Sequence, residues 1–106
     1  MDRARLERTF CWKISGELKL FKYRILQKEK EDIYGLAYRI NTIICIYEAL
    51  MEMSQKLESH MLQRCIEIPG LLTFLYGKWL KDPDSHNKEL EYSIMNALYD
   101  MQRNVA

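Results

Sequence analysis

The chain has 106 residues, 48% of them hydrophobic and 29% charged, with 4 Gly, 2 Pro and a net charge of +1. That size holds one domain around a single core and leaves little surplus for a catalytic cleft, and the composition excludes a disordered chain. It also argues against an all-β domain, which needs a turn roughly every 8–12 residues. We therefore predict an all-α fold, a compact bundle of about five helices in a single domain over residues 1–106, joined by short connections.

The charge is unevenly placed. Residues 1–30 hold nine Lys or Arg against four acids, a net of +5, and the remaining residues hold seven against eleven, a net of −4. A basic end on an acidic body can steer a partner of either sign.

The first segment, about residues 2–28, places Leu6, Phe10, Ile14, Leu18, Phe21 and Ile25 three or four apart, one helical stripe. Gly16 in its middle costs about 1 kcal/mol relative to Ala in a helix, and reads as a tolerated flaw or a kink. The helical body, about residues 31–103, opens with a helix over Glu31 to Met53. Here Ile33, Leu36, Ala37, Ile40, Ile43, Ile44, Tyr47, Leu50 and Met51 are the predicted core side. A short third helix carries Met61, Leu62 and Cys65, with Ser54 and Ser59 as alternative N-caps. The fourth takes Pro69 in its first turn and stops before Pro83. Leu71, Leu72, Phe74, Leu75, Tyr76, Trp79 and Leu80 surround its axis, which predicts a central helix. The last helix carries Leu90, Ile94, Ala97, Leu98 and Met101 at helical spacing after the stretch "DSHNK".

Asp84, Ser85 and His86 in that stretch are the residue types of a serine-hydrolase triad. Adjacent residues at a helix start splay apart, whereas triad members converge from distant positions. We read Asp84 or Ser85 as an N-cap, with Glu89 and Glu91 in or near the positive first turn. No metal site is predicted, because the two histidines, His60 and His86, and the three cysteines, Cys11, Cys45 and Cys65, lack ligand spacing. Cys45 has Glu48 nearby on its helix, and a neighbouring carboxylate disfavours a thiolate. The glycines are isolated, so no phosphate loop forms. No cofactor is expected, and the reading is of a protein that is not an enzyme.

Surfaces remain. If the first helix is continuous through Gly16, its side opposite the apolar stripe carries Arg5, Arg8, Lys19, Lys22 and Lys30, interleaved with Trp12 and Tyr23. Cations among aromatic planes can bind nucleic acid or an acidic protein groove. The alternative is a solvated face with Trp12 packed on a neighbour. Tyr92, Met95 and Tyr99 on the last helix, and Tyr34 and Tyr38 on the second, line the sides away from the core and are candidate partner contacts. Packing of either stripe against another helix is the alternative. An exposed stripe of this kind could also close a two-fold homodimer.

The opening "MDRARLERTF" is charged and predicts no secretory signal. The apolar run "TIICIY" is far short of the roughly 20 residues of a membrane span. Three widely spaced cysteines fit reduced thiols. A cytoplasmic protein with no membrane contact is expected.

The stretches "EDIYGLAYRINTIICIYEAL" and "PGLLTFLYGKWLKDPDSHNKELEYSIMNAL" resemble a family of small all-helical proteins from gut bacteria and their mobile elements, a domain of unknown function. The resemblance lies in the Asp32–Ile33 helix start, the "LYGKWL" run and the serine-capped last helix, and covers roughly residues 29–98. The first 28 residues are more basic than the family's pattern. The resemblance implies no activity and no site residue. It implies a setting, in which small one-domain proteins of mobile elements include inhibitors of host enzymes, blockers of CRISPR nucleases among them. By that analogy we expect a non-catalytic macromolecule-binding protein, such as an inhibitor of a CRISPR nuclease, whose partner is another protein or a ribonucleoprotein. The alternative is a nucleic-acid-binding regulator using the basic first helix.

Overall fold

The computed structural model describes residues 2–81 and 90–103, with backbone alone at 101–103, and among these the chain forms six helices and no strand. They are α1 (Arg3–Leu26), α2 (Lys30–Gly35), α3 (Ala37–Met53), α4 (Ser59–Glu67), α5 (Leu71–Lys81) and α6 (Leu90–Arg103). The all-α class expected from the sequence is the class observed.

Helix α1 starts where Asp2, in extended backbone, accepts the Arg5 N–H on Oδ1 at 2.8 Å. A side-chain acceptor there satisfies one of the orphan donors of the first turn. The helix then runs through Gly16 without a break. Its stripe Leu6, Phe10, Ile14 and Leu18 is buried, while Phe21 and Ile25 are only partly covered. The last two turns of α1 thus extend past the tightly packed body. They lie beside Ile40 of α3, and α2, which precedes α3, contributes no buried residue.

The segment read as one helix from Glu31 to Met53 is two. Leu36 leaves helical geometry at φ −102°, ψ 9°, directly after Gly35. Glycine's backbone freedom is the local reason that the helix gives way there. The core side of α3 is also rotated from the predicted one. Thr42, Ile43, Ile46, Leu50 and Met53 are buried, whereas Ile40, Ile44 and Tyr47 are half covered and Ala37 and Met51 exposed. With apolar residues on nearly all sides of α3, periodicity could not choose between the two orientations.

Two predicted N-caps are corrected. Ser54 closes α3, its hydroxyl donating to the Met51 carbonyl at 2.8 Å. Ser59 is the first residue of α4 rather than its cap, which is Glu58 without a capping side-chain bond. Pro69 is not in the first turn of α5 either, because Gly70 at φ 66° intervenes and the helix begins at Leu71. The Asp84 or Ser85 cap falls outside the described residues.

Helix α1 packs chiefly on α4, with further contact to α3 and α5, and α5 also touches α3 and α6. The central position predicted for α5 is not what its packing shows, since it buries one side, Leu71, Leu72, Leu75 and Tyr76, and leaves Thr73, Lys78 and Leu80 exposed, while α1 and α3 pack more widely. The buried apolar residues of α1, α3, α4, α5 and α6 join in one cluster. Three polar ties hold α1 to it, one of them between the Ser15 and Tyr47 hydroxyls at 3.2 Å. The Arg3 guanidinium donates to the carbonyls of Ser54 and Gln55 and to Ser59 Oγ at 3.2–3.3 Å, closing the carbonyl end of α3. Glu17, ion-paired with Lys13, accepts the Leu72 N–H at 2.9 Å.

Candidate interaction surfaces

At 3.6 residues per turn, Arg5, Arg8, Trp12, Lys19, Tyr23 and Leu26 fall within a sector of about 60° on the side of α1 opposite the core, with Lys22 one step to its edge. All seven are exposed. Trp12 is 78% exposed and Tyr23 62%, so neither ring is packed on a neighbour. From Arg5 to Tyr23 this face runs about 27 Å. No carboxylate lies on it. The acids of α1 flank the core instead, Glu7 paired with Arg3 at 3.6 Å and Glu17 with Lys13. Lys30, predicted on this face, is not part of it, because α1 ends at Leu26 and Lys30 begins α2.

The tyrosine stripes divide. Tyr34 is 82% exposed, whereas Tyr38, also exposed, is tied down by accepting the Trp79 Nε1–H at 2.8 Å. Beside it Arg39 lies over the Tyr76 ring, 5.5 Å from its centroid. Tyr92 and Tyr99 are exposed on α6, but Met95 between them packs against the core cluster. The predicted Tyr92–Met95–Tyr99 stripe is therefore two exposed rings bracketing a half-buried thioether.

No sequence signal had pointed to the next feature. Because the apolar surplus of α3 faces outward at its N-terminal half, Ile33, Tyr34, Ala37, Ile40 and Ile44 line an open groove of about 560 Å³, with Lys30 at its mouth. A second hollow adjoins it at Ile40, between Phe21, Lys22, Ile25 and Leu26 of α1. The only charged residues in the two linings are lysines. Their common origin is Gly35 and Leu36, which release α2 from α3 and leave the isoleucines uncovered.

Titratable groups do not assemble into a reacting set at any of these places. Among the described residues no three His, Cys, Asp or Glu side chains are grouped as metal ligands would be. His60 is exposed and lies 3.3 Å from Glu58 through Nδ1. Cys65 is fully buried, and burial pushes its thiol up to about 11, with Glu17 adding to the rise and Lys13 opposing it. It is a protonated core residue at neutral pH. No helix among the described residues is long and apolar enough to cross a membrane.

No protein-family model, curated protein or solved structure matches the chain. The reading of function accordingly stands on the surfaces themselves.

Proposed function

We propose that this protein acts by binding another macromolecule, without catalysing a reaction on it, and that the outward face of α1 is its principal contact. The observation that carries the reading is the exposure of Trp12 and Tyr23 among Arg5, Arg8, Lys19 and Lys22 on a face free of carboxylates. Large rings held on a rigid helix lose little freedom on binding and bury much area, and Arg is the charged residue most favoured in such contacts. Leu26, 74% exposed on the same face, favours a protein partner, since a leucine offers a base or a phosphate nothing specific. The partner surface this face fits is acidic with apolar pockets. Tyr34, Tyr92 and Tyr99 would supply further contacts. Inhibition of a CRISPR nuclease is a special case of this reading and rests on the family resemblance alone.

A second reading, nucleic-acid binding by the same face, is favoured by the combination of cations with aromatic planes. One experiment separates the two. The tagged chain and its Trp12→Ala/Tyr23→Ala variant are incubated with bacterial lysate, and with a purified CRISPR nuclease–guide complex, with and without nuclease digestion. Protein captured by the wild type after digestion and lost by the variant supports the first reading. Capture abolished by digestion, together with affinity for bare DNA or RNA that falls steeply with salt, supports the second. Equal capture by wild type and variant overturns both assignments to α1.

A further inference from the structure

We infer that the outward face of α3 pairs with the same face of a second copy of this chain, antiparallel, about a two-fold axis passing near Ile44. Ala37, Asn41, Glu48 and Glu52 are exposed along this face and Ile40, Ile44 and Met51 are incompletely covered. An apolar helix side left open to water is normally closed by another surface. The distribution of charge identifies that surface as the chain's own. Lys22 and Lys30 border the N-terminal half of the face, at the two hollows that share Ile40. Glu48 and Glu52 border its C-terminal half. All four are exposed, and none forms an ion pair with another described residue.

A two-fold pairing is isologous, so each residue before the axis meets one the same distance after it. With Ile44 at the axis, Glu48 of one copy comes opposite Ile40 of the other, beside Lys22. Met51 and Glu52 come opposite Ala37 and Leu36, beside Lys30. Unlike charges meet at both ends, and Met51 faces the groove formed by Ile33, Tyr34 and Ala37. A parallel pairing would set Glu48 and Glu52 against their own copies and is disfavoured by like-charge repulsion. The pairing shares Lys22, Leu26 and Tyr34 with the contacts proposed above but leaves Trp12 and Tyr23 outside, and it is read on the purified chain alone.

The test is sedimentation equilibrium of the full chain across a wide concentration range. The wild type should move from 12.8 kDa toward twice that mass as concentration rises. Lys22→Glu/Lys30→Glu makes all four border positions acidic, and Glu48→Lys/Glu52→Lys makes them all basic. Each double variant should dimerise at least tenfold more weakly than the wild type, and an equimolar mixture of the two should recover a dimer. Ala37→Arg, an exposed position away from the core, should yield a monomer with an unchanged circular dichroism spectrum. A wild type monomeric throughout would overturn the inference and leave the groove to another protein. So would a dimer indifferent to these substitutions, or a mixture that fails to associate.

Discussion

The protonation of Cys65 is decided by its position. A lysine nearby favours the thiolate, but complete burial and Glu17 oppose it more strongly, and the thiol rises from an ordinary 9.0 to about 11. The unfolded chain therefore releases this proton first, so as pH climbs from 9 toward 11 the unfolded state binds fewer protons than the native one. Stability should fall across that window by about 2–3 kcal/mol and be indifferent to Cys65 below it. The difference in urea midpoint between wild type and Cys65→Ala, followed against pH, isolates that contribution from the tyrosines and lysines titrating in the same range. Glu17 acts as an acceptor rather than a surface charge. Glycine at position 70 offers no side chain to cap α5, and Glu17 reaches across from α1 to hold the Leu72 N–H. Glu17→Ala leaves both that donor and Lys13 without a partner in a partly covered site, which should cost about 1–2 kcal/mol in chemical denaturation. Nothing in sequence spacing announces this tie, because its ends lie 55 residues apart. The exposed rings Trp12 and Tyr23, by contrast, were legible, since they sit opposite a regular stripe of four buried side chains.

Among the elements, α1 was the most readable and α3 the least. Four apolar residues spaced four apart define one side unambiguously, whereas isoleucines at 40, 43, 44 and 46 allow α3 two orientations. The structure takes the one that buries Ile43 and Ile46 and leaves Ile40 and Ile44 half covered. The groove was illegible for that reason, and because the break at Leu36 depends on what surrounds a single Gly–Leu step. Gly16 makes a sharper prediction. A Cβ built there meets nothing within 4 Å, and the residue lies inside a continuous helix. Gly16→Ala should stabilise the protein by about 0.5–1 kcal/mol, because alanine loses less backbone entropy on folding. Thermal unfolding with a raised midpoint would verify it, and a lowered midpoint would show that the backbone there is not helical. Gly70→Ala should do the reverse, since φ 66° strains any residue with a Cβ.

At the scale of the molecule, the all-helical class followed from composition, whereas the apolar girth of α5 did not make it the central helix. The packing partners did not follow from the sequence, since which helix faces which is set by shape complementarity that periodicity does not encode. The division of charge into a basic first helix and an acidic remainder has a readout of its own. If α1 meets an acidic partner, capture should weaken as salt rises from 50 to 500 mM, because exposed charges are screened beyond roughly a Debye length. The apolar pairing across α3 should be less sensitive, with only the four border charges responding.

The polar ties of α1 also set an order of events during synthesis. Arg3 closes the end of α3 near Ser54 and Ser59 and Glu17 caps α5 at Leu72, ties to residues made more than fifty positions later, while Ser15 meets Tyr47, 32 positions on. During synthesis α1 is made before α3, α4 and α5, and its packing is complete only after α5 has cleared the exit. Until then the apolar stripe with Phe10 and Ile14 is incompletely covered, and long-range contacts of this kind slow folding because loop closure must precede their reward. Moving α1 to the C-terminal end by circular permutation would bring it out after its partners exist, and should shorten the time for which its apolar stripe is open to chaperones.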